Sequence, residues 1–99
     1  MDFIKYDNHT GVTLLKTSLM NTLNKVSRIL DLEIELNYIP YSLILDCLDE
    51  LKFEYSQSWN NDVYSIDVYS TGIKIMNICG NVTNRLTTIS NRERTEFFV

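Results

Sequence analysis

Ninety-nine residues, 44% hydrophobic and 22% charged, make one small domain, because a single core usually occupies about 100 to 200 residues. The formal net charge of −4 is unevenly spread: residues 31–54 hold seven carboxylates against Lys52 alone. A nucleic-acid binder needs clusters of Lys and Arg to neutralise phosphates, so direct nucleic-acid binding is disfavoured and a partner with a basic surface is favoured.

Met1 is followed by Asp2 and Lys5 without an apolar run of secretory length, so no signal peptide is expected. Phe3 to Tyr6 is a candidate edge strand. Val12, Leu15, Leu19, Leu23, Val26 and Leu30 then step by three or four, which predicts a helix of roughly five turns with one buried face and Thr10 as its N-cap. The period next changes to two. Leu32, Ile34, Leu36 and Tyr38 alternate with Asp31, Glu33, Glu35 and Asn37, the pattern of a half-buried strand. Pro40 suits the first turn of a second helix, with Ile44, Cys47 or Leu48, and Leu51 inward and Ser42, Asp46, Asp49 and Glu50 outward.

From Phe53 onward β-branched and aromatic residues dominate, which predicts an antiparallel meander. Tyr55 and Trp59 alternate with Glu54, Ser56 and Ser58; Asn60-Asn61-Asp62 makes a turn; Tyr64, Ile66 and Val68 share the inner face of the next strand. Thr71-Gly72 closes a hairpin onto Ile73 to Cys79. Gly80-Asn81 is expected to break the strand, Arg85 to Ser90 is a weaker strand candidate, and Thr95 to Val99 a further one. The expected architecture is α+β: one domain over residues 1–99, two helices packed on an antiparallel sheet of three to five strands.

The longest nearly apolar stretch, Tyr41 to Leu45, is far short of the roughly 20 residues that span a bilayer, so a soluble, cytoplasmic protein is expected, with no membrane partner. Cys47 and Cys79 are expected to be reduced, buried packing residues. His9 is the only histidine, so neither a histidine metal site nor a His pair can form within one chain, and no cofactor is implied. Serine and threonine are plentiful, yet no nucleophile elbow or phosphate-binding glycine loop accompanies them.

Two constellations remain. Asp46, Asp49 and Glu50, spaced i, i+3 and i+4, put three carboxylates on one helix face. A water-facing helix surface is the plain reading of such a group, and an acidic protein-binding patch is the functional one, joined in sequence by Glu33 and Glu35. Tyr69, with Ser65 and Asp67, falls on the sheet face opposite Tyr64, and Tyr, Trp, Ser and Asn are the residues of adaptable recognition surfaces.

The function expected is non-enzymatic: an acidic module that binds and inhibits or regulates a cytoplasmic partner through Glu33, Glu35, Asp46, Asp49, Glu50 and Tyr69. Ten Asn, ten Ile and no Ala suggest a low-GC genome, such as that of a phage. A phage-encoded anti-defence protein, of anti-CRISPR or similar type, would occupy a basic nucleic-acid-binding groove of a host protein in the host cytoplasm. The alternatives are a small structural protein whose sheet edge pairs with its own copy as a homodimer, and, less favoured, a carboxylate-dependent enzyme.

Overall fold

The structure, a computed structural model, describes residues 10–29 and 31–91, with side chains from residue 16 onward. Its elements are α1 (Thr10–Val26), β1 (Glu33–Asn37), α2 (Tyr41–Glu50), β2 (Glu54–Asn60), β3 (Val63–Ser70), β4 (Ile73–Asn81) and β5 (Leu86–Ser90). The strands form one antiparallel sheet in the order β1-β5-β4-β3-β2, giving the expected α+β fold. β2 to β5 make a meander, and β1 joins it beyond β5, so the first two strands of the chain lie at opposite edges. The strand candidates at Phe3 to Tyr6 and Thr95 to Val99 lie outside the described residues, as does Leu30.

The apolar stripe of α1 points inward as its spacing requires: Leu19, Leu23 and Val26 are buried. Thr10 is helical rather than at the N-cap position that its type suggested, and the residues before it lie outside the described ones. At the other end, the buried Asn91 side chain accepts from Leu32 N–H at 2.6 Å and donates to the Val26 carbonyl at 2.7 Å and to that of Ile29. Val26 closes the last turn and Ile29 lies just beyond it; the Val26 carbonyl accepts only a long 3.4 Å bond from Ile29 N–H within the chain's own turn, and a side chain 65 residues away adds a shorter one.

α2 begins at Tyr41, with Pro40 in the N-cap position at ψ 139°, where its missing N–H costs nothing. Ile44, Cys47 and Leu48 are buried, and Ser42, Asp46, Asp49 and Glu50 are exposed. The helix ends in a Schellman motif: Phe53 N–H donates to Leu48 O and Lys52 N–H to Asp49 O, with Lys52 left-handed at φ 63°. Thr71 and Gly72 form the left-handed pair expected of the β3–β4 turn, at φ 51° and 80°.

Across the sheet, side chains alternate between a face that meets the helices and a face that does not. Tyr64, Ile66 and Val68 of β3, Met76 and Ile78 of β4 and Ile89 of β5 are fully buried on the first, together with Leu19, Leu23 and Ile44 from the helices. Gly80 does not break β4, contrary to expectation. It pairs with Tyr64, whose ring lies over it, so that a Cβ there would fall 2.1 Å from Tyr64 Cε2. The aromatic ring fills the space a side chain would have taken and shields the glycine backbone, which keeps the strand intact. Arg85 to Ser90, expected to be weak, gives an interior strand between β4 and β1. There the buried Thr87 accepts from Ile39 N–H at 2.8 Å, while Tyr64 Oη donates to Ile39 O at 2.6 Å.

Candidate partner-binding face

The helix-covered face takes every second residue of each strand, and the register fixes what the other face holds. One cross-strand row runs Ser58, Ser65, Cys79, Thr88, Glu35; the next runs Ser56, Asp67, Asn77, Ser90, Glu33; a third holds Glu54, Tyr69 and Lys74. The central positions are half-buried, and no described element covers them. Small polar side chains occupy most of the face, so the sheet backbone stays close to the surface.

Its middle is tied together. The Asn77 amide donates to Ser65 Oγ at 3.0 Å and to Asp67 Oδ1 at 2.9 Å, and Lys74 Nζ lies 3.2 Å from the same Asp67 oxygen. Asp67 is thereby compensated. Glu54 stands exposed at one edge of the face and Glu33 and Glu35 at the other, an acidic rim. Tyr69 stands between Glu54 and Lys74.

The six residues singled out in the sequence therefore do not form one patch. Glu33, Glu35 and Tyr69 share the open face, whereas Asp46, Asp49 and Glu50 are carried by α2, which packs on the opposite face. Two of these three carboxylates also have partners within the chain. Glu50 accepts from Lys16 Nζ at 2.9 Å, and Asp49 accepts from Tyr55 Oη at 3.0 Å. The hydrogen bond to Glu50 raises the Lys16 pKa, and that to Asp49 raises the Tyr55 pKa.

The two cysteines also separate. Cys47 is buried between the helices, its thiol 3.9 Å from Lys16 O, and burial pushes its pKa up to about 11, against the thiolate a nucleophile needs. Cys79 corrects the expectation of two buried packing residues: it is half-buried on the open face, between Ser65 and Thr88. His9 lies outside the described residues. Among the described residues no three His, Cys, Asp or Glu side chains are placed to hold a metal ion, and no helix is long and apolar enough to cross a membrane.

Sequence reasoning reached Ser65, Asp67 and Tyr69 but missed Ser56, Ser58, Asn77, Thr88 and Ser90. Their signal was present as small polar residues at every second position of β2, β4 and β5. Comparison with protein-family models, curated proteins and solved structures finds no match.

Proposed function

We propose that this chain is a small acidic, non-enzymatic protein-binding module whose open sheet face docks on a basic surface of a partner protein. The observation that carries this reading is a sheet face that no described element covers, with Glu33, Glu35 and Glu54 on its rim and short polar side chains between. Serine and threonine lose little rotamer freedom when covered, and tyrosine adds contact area with few torsions to freeze, so such a face is inexpensive to order. The carboxylates of α2 lie outside the contact and add to the field that steers a basic partner inward.

The specific version is inhibition of a nucleic-acid-binding host protein by a phage-encoded chain that occupies its basic groove. Composition supports it: the abundance of Asn and Ile without Ala marks a low-GC gene, and the acidic rim matches a groove built for phosphate.

The test is surface-plasmon kinetics against the partner recovered by pull-down. A sheet-face variant, Glu33→Gln/Glu35→Gln/Glu54→Gln, should dissociate faster and lose about tenfold or more in affinity. A helix-face variant, Asp46→Asn/Asp49→Asn/Glu50→Gln, should associate more slowly at low salt with its residence time kept. A sheet-face variant that binds like wild type refutes the open face as the docking surface. Failure of the bound partner to release nucleic acid in competition refutes the groove.

A further inference from the structure

β2 is an edge strand of seven residues, paired along its whole length with β3 and without a bulge. Six of the seven are exposed, Trp59 at 47%, and no described strand lies beyond it. Natural edges are usually guarded by Pro, Lys, a bulge or shortness. β2 has none of these, and its only charge, Glu54, sits at its end.

The other edge is guarded. Two copies of β1 aligned antiparallel over its five residues would set Glu35 against Glu35, and like charges directly opposite are unfavourable.

The direction of the unpaired backbone groups of β2 follows from the register. Asn60 and Val63 close a two-residue turn, so they bond to each other, and alternation gives Ser58, Ser56 and Glu54 the same inward direction. The next ladder agrees, since Val82 N–H donates to Asp62 O, which puts the even-numbered residues of β3 toward β4. The N–H and C=O groups of Tyr55, Gln57 and Trp59 therefore point outward.

We propose that a second copy of this chain pairs with β2 along this edge, antiparallel and centred on Gln57, to form a two-fold dimer with a continuous ten-stranded sheet. In this register all seven residues are matched. Gln57 meets Gln57, Tyr55 meets Trp59 on the helix side, Ser56 meets Ser58 on the open side, and Glu54 meets Asn60 rather than its own copy. The outward groups of Tyr55, Gln57 and Trp59 become the hydrogen-bonded pairs, and two aromatic cross-strand pairs form. The Trp59 ring is already held by Tyr41 and Tyr64, at centroid distances of 5.4 and 5.5 Å, so its ordering has been met before association. The inference does not rest on the partner-binding reading: it follows from the backbone groups at the β2 edge, although Glu54, Ser56 and Ser58 also border the open face.

Sedimentation velocity across a range of concentrations tests it on three proteins. Wild type should shift from monomer to dimer as concentration rises. Gln57→Pro removes an N–H that no ladder among the described strands uses, and Gln57→Glu sets two carboxylates together on the two-fold axis while keeping the side-chain shape. Both should stay monomeric where wild type is dimeric, the dissociation constant rising about tenfold or more. Gln57→Glu decides the matter if proline disturbs β2. In amide exchange, Tyr55, Gln57 and Trp59 should exchange fast in the monomer and be protected in the dimer, with Ser56 and Ser58 protected in both. A wild type that is monomeric throughout, or a dimer that survives both substitutions, overturns the proposal.

Discussion

Replacing Gly80 by alanine adds one methyl group at the most crowded place in the sheet. The new Cβ would meet Tyr64 Cε2 at 2.1 Å, Cζ at 2.2 Å and Oη at 2.6 Å, well inside contact distance. The ring has no easy retreat. Tyr64 is fully buried, its hydroxyl donates to Ile39 O, and Tyr38, Tyr41 and Trp59 surround it with centroids 5.3 to 6.1 Å away. Overpacking of this kind costs about 1–3 kcal/mol, and a buried carbonyl left without its donor about 1–3 kcal/mol more. Gly80→Ala should therefore destabilise by about 2–6 kcal/mol, a large share of the roughly 5–15 kcal/mol that holds a domain of this kind together. Urea unfolding followed by fluorescence measures it, because Trp59, the only tryptophan, packs against the same ring. Tyr64→Leu should relieve the clash, so the double variant should be more stable than the two single losses added together. A loss below about 0.5 kcal/mol for Gly80→Ala, or strictly additive losses, would refute the packing argument.

Asn91→Ala should cost about 1–3 kcal/mol in the same assay, since it strips Leu32 N–H of its partner and leaves the Val26 carbonyl only the long bond from Ile29 N–H; Asn91→Asp should be no milder, because it sets a carboxylate against carbonyls at the negative end of α1. Lys52→Gly should stabilise by about 0.5–1 kcal/mol, because glycine takes the left-handed position at the end of α2 without the penalty a side chain incurs; destabilisation would contradict the Schellman reading. Burial raises the Cys47 pKa from an ordinary 9.0 to about 11 and that of Tyr64 from 10.0 to about 12, so both groups hold their protons longer in the folded state. The stability they contribute is complete below pH 9 and is lost as pH rises toward 12, because the unfolded chain ionises first. Melting temperature should fall over that window, and Cys47→Ala should flatten its lower part; an unchanged melting temperature from pH 9 to 11 would contradict the buried thiol.

Much of the fold was legible because local periods carried it. The steps of α1, the alternation through Leu32, Ile34 and Leu36, and Thr71-Gly72 each depend on near neighbours only. What escaped depended on distant ones. Gly80 reads as a breaker until the ring of Tyr64 is placed over it, and nothing local marks Thr87 and Asn91 for burial, since their partners Ile39 and Leu32 are 48 and 59 positions away. The facing of Cys79 was hidden by a bulge: the register shift between Val68 and Tyr69 leaves Ile75 without a partner, so Ile75 and Met76 are both buried and strict alternation fails along β4. The acidic segment looked like one patch because its residues are close in sequence. Sheet order separates it, with β1 and β2 at opposite edges and α2 on the far face.

Cys79 offers the most direct measurement of the docking surface, since it lies in the middle of the open face while Cys47 is sealed in the core. In the free protein a thiol reagent should modify Cys79 readily and Cys47 only on unfolding, which makes Cys47 an internal control. Saturation with the partner recovered by pull-down should slow the labelling of Cys79 by about tenfold or more, as a thiol covered by an interface reacts only when the complex opens. The β2-edge dimer leaves Cys79 uncovered, so self-association does not imitate this result. A Cys79 labelling rate that is the same with and without bound partner would contradict docking through the open sheet face.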